Sequence, residues 1–157
     1  MKGFIMIKST GVCIKTKDFA KSRAFYEGFG FKAKFEVGPD KEIKDKSSVV
    51  IYGSETGGNF ELTDGHVAIK PAVFQEQVES SKISLMFEVS SLEEIMGMAQ
   101  NMGVEPAVPV RHYYYGNLEV VFYDPDGTRV VFIEPYTAES AKKLAASEEF
   151  GEAINPV

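Results

Sequence analysis

An internal repeat constrains the fold of this chain more than any other feature of its sequence. Three markers recur after the same interval of 73 residues (84 − 11, 91 − 18 and 103 − 30). They are the start of an apolar run, a helix-capping residue and a terminating glycine, namely Gly11 and Ser84, Asp18 and Ser91, Gly30 and Gly103. Two copies are too few for a solenoid, which needs about three or more. The sequence therefore predicts a pair of similar supersecondary units in one chain.

The second copy begins with a strand and a helix. The run Ile83 to Val89 is typical of a strand, and apolar residues fall at helical spacing from Leu92 to Met102. Ser91, with Glu94 three residues later, forms a capping box, and Gly103 is suited to end a helix. We therefore predict a helix over Leu92 to Met102.

A hairpin closes this second copy. The apolar runs Val120 to Tyr123 and Val130 to Ile133 flank the sequence Asp124-Pro125-Asp126-Gly127. Proline fixes φ and glycine accepts φ > 0, so this tetrapeptide favours a tight reversal of the chain.

The first copy shows the same order of elements. Val12 to Thr16 predicts a strand, and Asp18 caps a helix that Gly30 closes. Further strands are predicted at residues 31–37, 49–52, 60–63 and 67–70, the last two joined as a hairpin across Asp64-Gly65.

The length of 157 residues, with 44% apolar content, suits one domain with a substantial core. Within it we expect a first module over residues 7–75, a second over 82–136 and a helical tail over 137–157. In that tail, Thr137 is suited to cap a helix that continues through Phe150.

Charge and composition narrow the possible partners. A net charge of −6 argues against nucleic acid as a partner, because such binding depends on neutralising phosphates, and it weakly favours a neutral or cationic small ligand. Neither a membrane span nor a signal peptide is evident, so we expect a cytoplasmic protein. The single cysteine, Cys13, forbids an internal disulfide and is compatible with a reducing compartment.

Three segments carry a resemblance to a known family: TKDFAKSRAFYEGFGF, EVSSLEEIMGMAQNMGVEPA and FYDPDGTRVVFIEP. They resemble the vicinal oxygen chelate superfamily, which includes glyoxalase I, extradiol dioxygenases and the fosfomycin- and bleomycin-resistance proteins. The resemblance covers about residues 7 to 136. It implies an α+β fold of two tandem βαβββ modules whose curled mixed sheets surround a cup-shaped cavity, here followed by a C-terminal helix. Such proteins are commonly homodimers.

The resemblance also implies where a metal would be bound. In metal-dependent relatives each module supplies one ligand near the start of its first strand and a Glu in its last strand. These positions fall on Gly11 and Ser84, on Val131, and on either Ala68 or Glu61, depending on which strand ends the first module. Glu134 follows Val131 by three residues and so belongs to the opposite strand face. A divalent metal needs about three or four suitable ligands, so we expect no metal site and no cofactor.

Candidate cavity residues follow from strand alternation, and their shared property is a position on a predicted inward face or at the cavity mouth. They are Cys13, Lys15, Met86, Glu88, His112, Tyr113 and Tyr115. For Cys13, packing as a small buried thiol is favoured over a nucleophilic role, which needs a lowered pKa. Lys15 and Glu88 are related by the repeat and are candidates for an ion pair.

Histidines and aromatic residues allow two interpretations each. His66 is interpreted as an exposed turn residue, and His112 as a surface strand residue rather than a general base or ligand donor. The run Tyr113-Tyr114-Tyr115 suits stacking on an organic ligand as well as ordinary strand or dimer packing. Phe29, Phe31 and Phe35 are assigned to the core.

Two classes of function remain. The leading hypothesis is a metal-free protein that binds a small organic molecule in its cavity, similar to the bleomycin-resistance branch. The alternative is a metal-dependent lyase, isomerase or dioxygenase of the same superfamily, and a metal-free enzyme using Cys13, His112 or a tyrosine is a third possibility. The fold alone does not decide between these functions. Metal content distinguishes the metal-free binding protein from the metal-dependent enzyme.

Overall fold

The computed structural model describes residues 9–38, 48–65, 71–78, 82–113 and 116–149. The chain divides into two compact units, with the boundary between Gln77 and Val78. Each unit contains one βαβββ module with a mixed sheet, so the predicted α+β class and the repeat of two modules are confirmed.

The first unit contains one helix and a four-stranded sheet. Its elements are β1 (Gly11–Lys15), α1 (Phe19–Gly28), β2 (Ala33–Val37), β3 (Val49–Gly53) and β4 (Asn59–Thr63), followed by a 3₁₀ helix (Pro71–Gln75). The strand order is β1-β4-β3-β2, with β1 parallel to β4 and the other pairs antiparallel. The strand predicted at residues 67–70 lies outside the described residues. β4 completes the βαβββ order without it.

The second unit repeats this plan and extends it. Its elements are β5 (Ser84–Glu88), α2 (Leu92–Met102), β6 (Val108–Tyr113), β7 (Asn117–Tyr123), β8 (Arg129–Pro135), α3 (Ala138–Lys143) and β9 (Ser147–Glu149). The strand order is β5-β8-β7-β6-β9, with β5 parallel to β8 and β7 antiparallel to β8. The predicted hairpin is therefore the β7–β8 pair.

Side-chain caps fix the ends of the helices at the predicted residues. The Asp18 carboxylate accepts a hydrogen bond from the amide of Lys21 at 3.0 Å, and the Ser91 hydroxyl accepts one from Glu94 at 3.2 Å. Gly103 ends α2 with φ of 67°, a left-handed conformation that glycine adopts without steric cost.

Each sheet packs one face against the helix of its unit, and the two cores differ in composition. In the first unit the core is aromatic: the Tyr26 ring of α1 lies 4.6 Å from the Phe60 ring, and Tyr52 stacks on Phe60 at 5.7 Å. In the second unit α2 packs on β7 and β8 over a mainly aliphatic core that includes Leu92, Ile95, Leu118, Val120, Val130 and Phe132.

The C-terminal tail is only partly helical, so the expectation of a helix through Phe150 is wrong. α3 ends at Lys143, because Ala145 adopts a φ of 49° and the Ala146 amide donates back to the Ala141 carbonyl at 2.9 Å. The chain then forms β9, which pairs in parallel with the edge of β6. This pairing satisfies backbone groups that an edge strand leaves open.

None of the helices in the described part of the chain is long and apolar enough to cross a membrane.

Candidate functional site

The sheet of the first unit has one face turned away from α1, and a row of four side chains crosses it. The register pairs Cys13 with Glu61, Glu61 with Ile51 and Ile51 with Phe35, so one residue comes from each strand. We call this the open face of the first unit. Lys15 lies on the same face one pleat further along β1.

Phe35 belongs to this open face, so its assignment to the core is wrong. Its side chain is 54% exposed, whereas Phe29 is buried and Phe31 packs on the Tyr26 ring at 5.6 Å. The cause is a register irregularity between Ala33 and Phe35, after which Phe35 pairs with Ile51 and shares its face.

Two neighbours in this row, Cys13 and Glu61, are joined by a side-chain hydrogen bond. The thiol Sγ donates to Glu61 Oε1 at 3.3 Å. Burial raises the pKa of the Cys13 thiol, and the hydrogen bond and negative charge of Glu61 raise it further, while Lys15 opposes the shift. A thiol with a raised pKa is a poor nucleophile at neutral pH. The geometry therefore favours a protonated Cys13 that donates a hydrogen bond to the Glu61 carboxylate.

Glu61 and Val131 occupy matching positions in the two modules. In the first unit Cys13 on β1 pairs with Glu61 on β4, and in the second unit Met86 on β5 pairs with Val131 on β8. Cys13 and Met86 are related by the repeat of 73 residues (86 − 13). By this pairing Glu61, in the last strand of the first module, is the counterpart of Val131. Ala68 lies outside the described residues.

The sheet of the second unit also has an open face, on the side away from α2. Two rows cross its first three strands: Ser84, Arg129 and Tyr123 in one, and Met86, Val131 and Val121 in the next. Met86 is 59% exposed and Tyr123 is 51% exposed, while Val131 and Val121 are buried. This face therefore combines buried valines with the accessible thioether of Met86 and the accessible ring of Tyr123.

Arg129 is the cation of the first of these rows. Its guanidinium lies 6.0 Å from the centre of the Tyr123 ring, and Nη2 lies 3.5 Å from the tyrosine hydroxyl. The side chain is half-buried, and its Nε is buried without a hydrogen-bond partner among the described residues. A guanidinium in this position has donors available for a ligand.

A third row contains charged residues of both signs. Glu88 pairs with Ile133, Ile133 with Glu119 and Glu119 with Arg111. Glu119 is only 7% exposed and lies directly opposite the half-buried Arg111, the arrangement in which opposite charges stabilise a sheet.

His112 lies on the other face of β6. Its ring stacks on Tyr136 with centroids 3.7 Å apart and an interplanar angle of 13°. Strand alternation separates it from Arg111 and Tyr113, so it is not brought together with the other candidates. Tyr113 is half-buried on the open side. Tyr115 and His66 lie outside the described residues.

Glu134 has a structural partner at each oxygen. One carboxylate oxygen accepts the amide of Leu92 at 2.7 Å, and the other accepts the Ser140 hydroxyl at 2.8 Å. A carboxylate at the first amides of a helix stabilises its N-terminus, so Glu134 ties α2 to the start of α3.

The donor set does not fit a superfamily metal site. The positions implied by the resemblance hold Gly11, Ser84, Val131 and one carboxylate, Glu61. At Gly11 a Cβ would lie 3.0 Å from the carbonyl oxygen of Asn59, closer than side chains ordinarily approach backbone, so a larger ligand residue would be crowded there. Across the described ranges no three His, Cys, Asp or Glu residues cluster in a way that would hold a metal ion.

Three open-face residues were missed by the sequence-based candidates: Phe35, Tyr123 and Arg129. Tyr123 precedes the Asp-Pro-Asp-Gly turn, and Arg129 follows it after Thr128. The sequence indicated that these two residues pair across the hairpin, and cross-strand pairs of this kind interact. Phe35 had no such signal, because the irregularity in β2 has no marker in the sequence.

Comparison with known proteins gives one family match. The profile of the Glyoxalase/Bleomycin resistance protein/Dioxygenase superfamily matches residues 9–132. No functionally curated protein matches the chain.

Several solved structures share the fold at low identity. A mutant of the fosfomycin resistance protein FosX from Listeria monocytogenes, complexed with Mn(II) and 1S,2S-dihydroxypropylphosphonic acid, is 19% identical with a TM-score of 0.60, covering 90% of this chain and 99% of that one. A glyoxalase/dioxygenase from Nostoc punctiforme is 18% identical with a TM-score of 0.56, covering 81% and 90%. A glyoxalase/bleomycin resistance protein from Catenulispora acidiphila is 22% identical with a TM-score of 0.52, covering 82% and 96%.

Proposed function

Because the chain belongs to the Glyoxalase/Bleomycin resistance protein/Dioxygenase superfamily, we propose that it binds a small organic molecule on the open face of one of its sheets without a metal. The FosX neighbour was solved with Mn(II) bound. In this chain, side chains contact the ligand directly and no metal ion holds it.

One observation carries this proposal: the replacement of the metal ligands. Glycine and valine have no side-chain donor, and serine is a poor ligand for a divalent transition metal, so Gly11, Ser84 and Val131 contribute nothing comparable to histidine or carboxylate. The remaining carboxylate, Glu61, already accepts a hydrogen bond from the Cys13 thiol. A single carboxylate is insufficient for a catalytic metal site.

The open faces supply the groups that small-molecule sites ordinarily use. Such sites are mostly apolar or aromatic, with a few polar groups that fix orientation. In the second unit, Met86 and Tyr123 are accessible apolar and aromatic groups, and Arg129 is a hydrogen-bond donor beside them. In the first unit, Phe35 is exposed at the opposite end of its row from the Cys13–Glu61 pair. This supports binding of an organic molecule by shape and hydrogen bonds.

The test is a ligand screen on native protein in parallel with chelator-treated protein. A ligand that binds the folded state raises the melting temperature by linkage. We expect at least one class of organic compound to raise it equally in both samples, and added Mn(II), Zn(II), Ni(II) or Fe(II) to leave both the melting temperature and the ligand shift unchanged. A ligand shift that disappears after chelation and returns with one metal would overturn the proposal and favour a metal-dependent lyase, isomerase or dioxygenase.

A further inference from the structure

We infer that Arg129 anchors the anionic head of the ligand, so that the second unit takes an organic anion with two or more head oxygens, a carboxylate or a phosphonate. This inference rests on the proposed function, because it specifies the chemistry of a ligand on the same open face.

The first support is the electrostatic isolation of Arg129. Its interactions within the described ranges are those with Tyr123, at 3.5 Å to the hydroxyl and 6.0 Å to the ring centre, and none is an ion pair. The chain has 23 acidic residues against 17 Lys and Arg, so carboxylate partners are abundant. A half-buried guanidinium that pairs with no carboxylate in the described ranges keeps its terminal Nη donors for an external anion, while its buried Nε has no partner there either.

The second support is the row in which Arg129 lies. Ser84 pairs with it on one side and Tyr123 on the other, so a hydroxyl and an aromatic ring flank the guanidinium on one face. The planar fork of arginine suits two oxygens of one head group. Tyr123 and the neighbouring exposed Met86 offer flat and adaptable apolar surface to the body of the same ligand.

The third support is the relation of Arg129 to the replaced metal positions. It pairs with Ser84 and lies two residues before Val131 on the same face of β8. A fixed positive charge therefore lies next to both positions at which a metal-dependent relative would place ligands in this module. The guanidinium supplies a cation for ligand oxygens where the metal ligands are absent.

This inference departs from the weak preference for a neutral or cationic ligand that follows from the net charge of −6. Net charge acts through screened, distant groups, with a screening length of about 8 Å at physiological salt, whereas a guanidinium in contact acts directly. The local donor therefore decides the sign of the ligand.

The test compares four small probes with the same aromatic body: benzoate, phenylphosphonate, benzyl alcohol and benzylammonium. Binding to the native full chain is measured by NMR titration. We expect one or both anions to bind more tightly than the alcohol, and benzylammonium to bind weakest. The planar and tetrahedral heads distinguish a carboxylate site from a phosphonate site.

Variants then locate the anion. Arg129→Gln should weaken anion binding roughly ten- to a hundredfold, the range expected for loss of charge-assisted hydrogen bonds. Arg129→Lys keeps the charge without the fork and should fall between it and the wild type. Lys142→Gln removes an exposed positive charge from α3 and is the matched control, for which we expect unchanged affinity.

The outcomes separate this inference from the proposed function. Two results would overturn the inference while leaving metal-free binding intact. One is that benzyl alcohol binds more tightly than both anions, and the other is that Arg129→Gln and Lys142→Gln lose anion binding equally. Anion binding by the wild type that requires an added metal would overturn both. Arg129→Lys decides the question if Arg129→Gln proves unfolded by circular dichroism.

Discussion

At the scale of single residues, the hydrogen bond from Cys13 to Glu61 ties a thiol and a carboxylate together on the first open face. Glu61 raises the pKa of the thiol through its hydrogen bond and its charge, in addition to the effect of burial. Glu61→Gln removes the charge, so we expect the thiol pKa to fall toward its ordinary value of about 8.5. The pH dependence of iodoacetamide modification measures it. An unchanged pKa would show that burial alone sets the shift.

The same raised pKa affects stability in alkaline solution. The Cys13 thiol holds its proton more tightly in the folded protein than in the unfolded chain. Its contribution to the free energy of unfolding is therefore fully present below the pKa of the unfolded chain and is lost as the pH rises through the pKa of the folded protein. We therefore expect the free energy of unfolding to decline above about pH 8.5 more steeply in the wild type than in Cys13→Ala. Urea unfolding at a series of pH values checks this. Parallel declines in the two proteins would contradict it.

Tyr52 provides a test of a buried hydroxyl. It is 1% exposed, and its hydroxyl makes no hydrogen bond of ordinary geometry in the part of the chain that the structure describes. Burial raises its pKa most, and the nearby Glu27 carboxylate raises it further by its charge and by a weaker contact with the hydroxyl. Because an unsatisfied buried hydroxyl costs about 1–3 kcal/mol, Tyr52→Phe should leave the free energy of unfolding unchanged or increase it. Tyr52→Ala, by contrast, should lose about 3–5 kcal/mol through cavity formation. Destabilisation of Tyr52→Phe by more than about 1 kcal/mol would indicate a bond to the hydroxyl.

The residues of the site were harder to predict than those of the helix ends. Strand alternation and the repeat identified Cys13 and Met86 as equivalent candidates, one in each module. The register pairs Cys13 with Glu61 and Met86 with Val131, each in the last strand of its module. Phe35 was misassigned because a single register irregularity moves a side chain to the other face, as any one-residue slip in a strand does. The Asp-Pro-Asp-Gly turn indicates that Tyr123 and Arg129 pair across the hairpin, but the sequence does not show that their side chains make contact.

At the scale of elements, α2 was predictable to the residue because its cap, apolar spacing and terminal glycine all agree. The tail was not predictable to this extent. Thr137 does cap α3, but pairing of β9 with the edge of β6 overrides a helical continuation, and that is a tertiary effect.

Two glycines of α2 give opposite predictions for the same substitution. Gly97 is exposed in the helix interior with nothing within 4 Å of a new Cβ, so Gly97→Ala should stabilise by about 0.5–1 kcal/mol. Gly103 has equal space but a φ of 67°, so Gly103→Ala should destabilise by about 1 kcal/mol. Thermal unfolding of the two variants provides the comparison. A change of the same sign in both would contradict this account of the helix end.

At the scale of the whole molecule, the repeat of 73 residues predicted the architecture because each copy carries its own strand, cap and terminator. It did not predict function, because the fold is shared by relatives with different chemistries.

The predicted homodimer is a further property at this scale. We expect light scattering coupled to size exclusion to give twice the 17.3 kDa mass of one chain at micromolar concentration. A mass of 17.3 kDa that stays constant up to the highest soluble concentration would contradict the dimer.

The number of metal ions bound per chain decides whether this protein binds its ligand without a metal. Elemental mass spectrometry on native protein, purified without chelator and then dialysed against Mn(II), Zn(II), Ni(II) and Fe(II) in turn, gives the number of ions bound per chain. We expect far fewer than one ion per chain for every metal, because Gly11, Ser84 and Val131 supply no strong ligand and Glu61 is the one carboxylate at the implied positions. One ion per chain, removed by chelator and lost in Glu61→Ala, would contradict it.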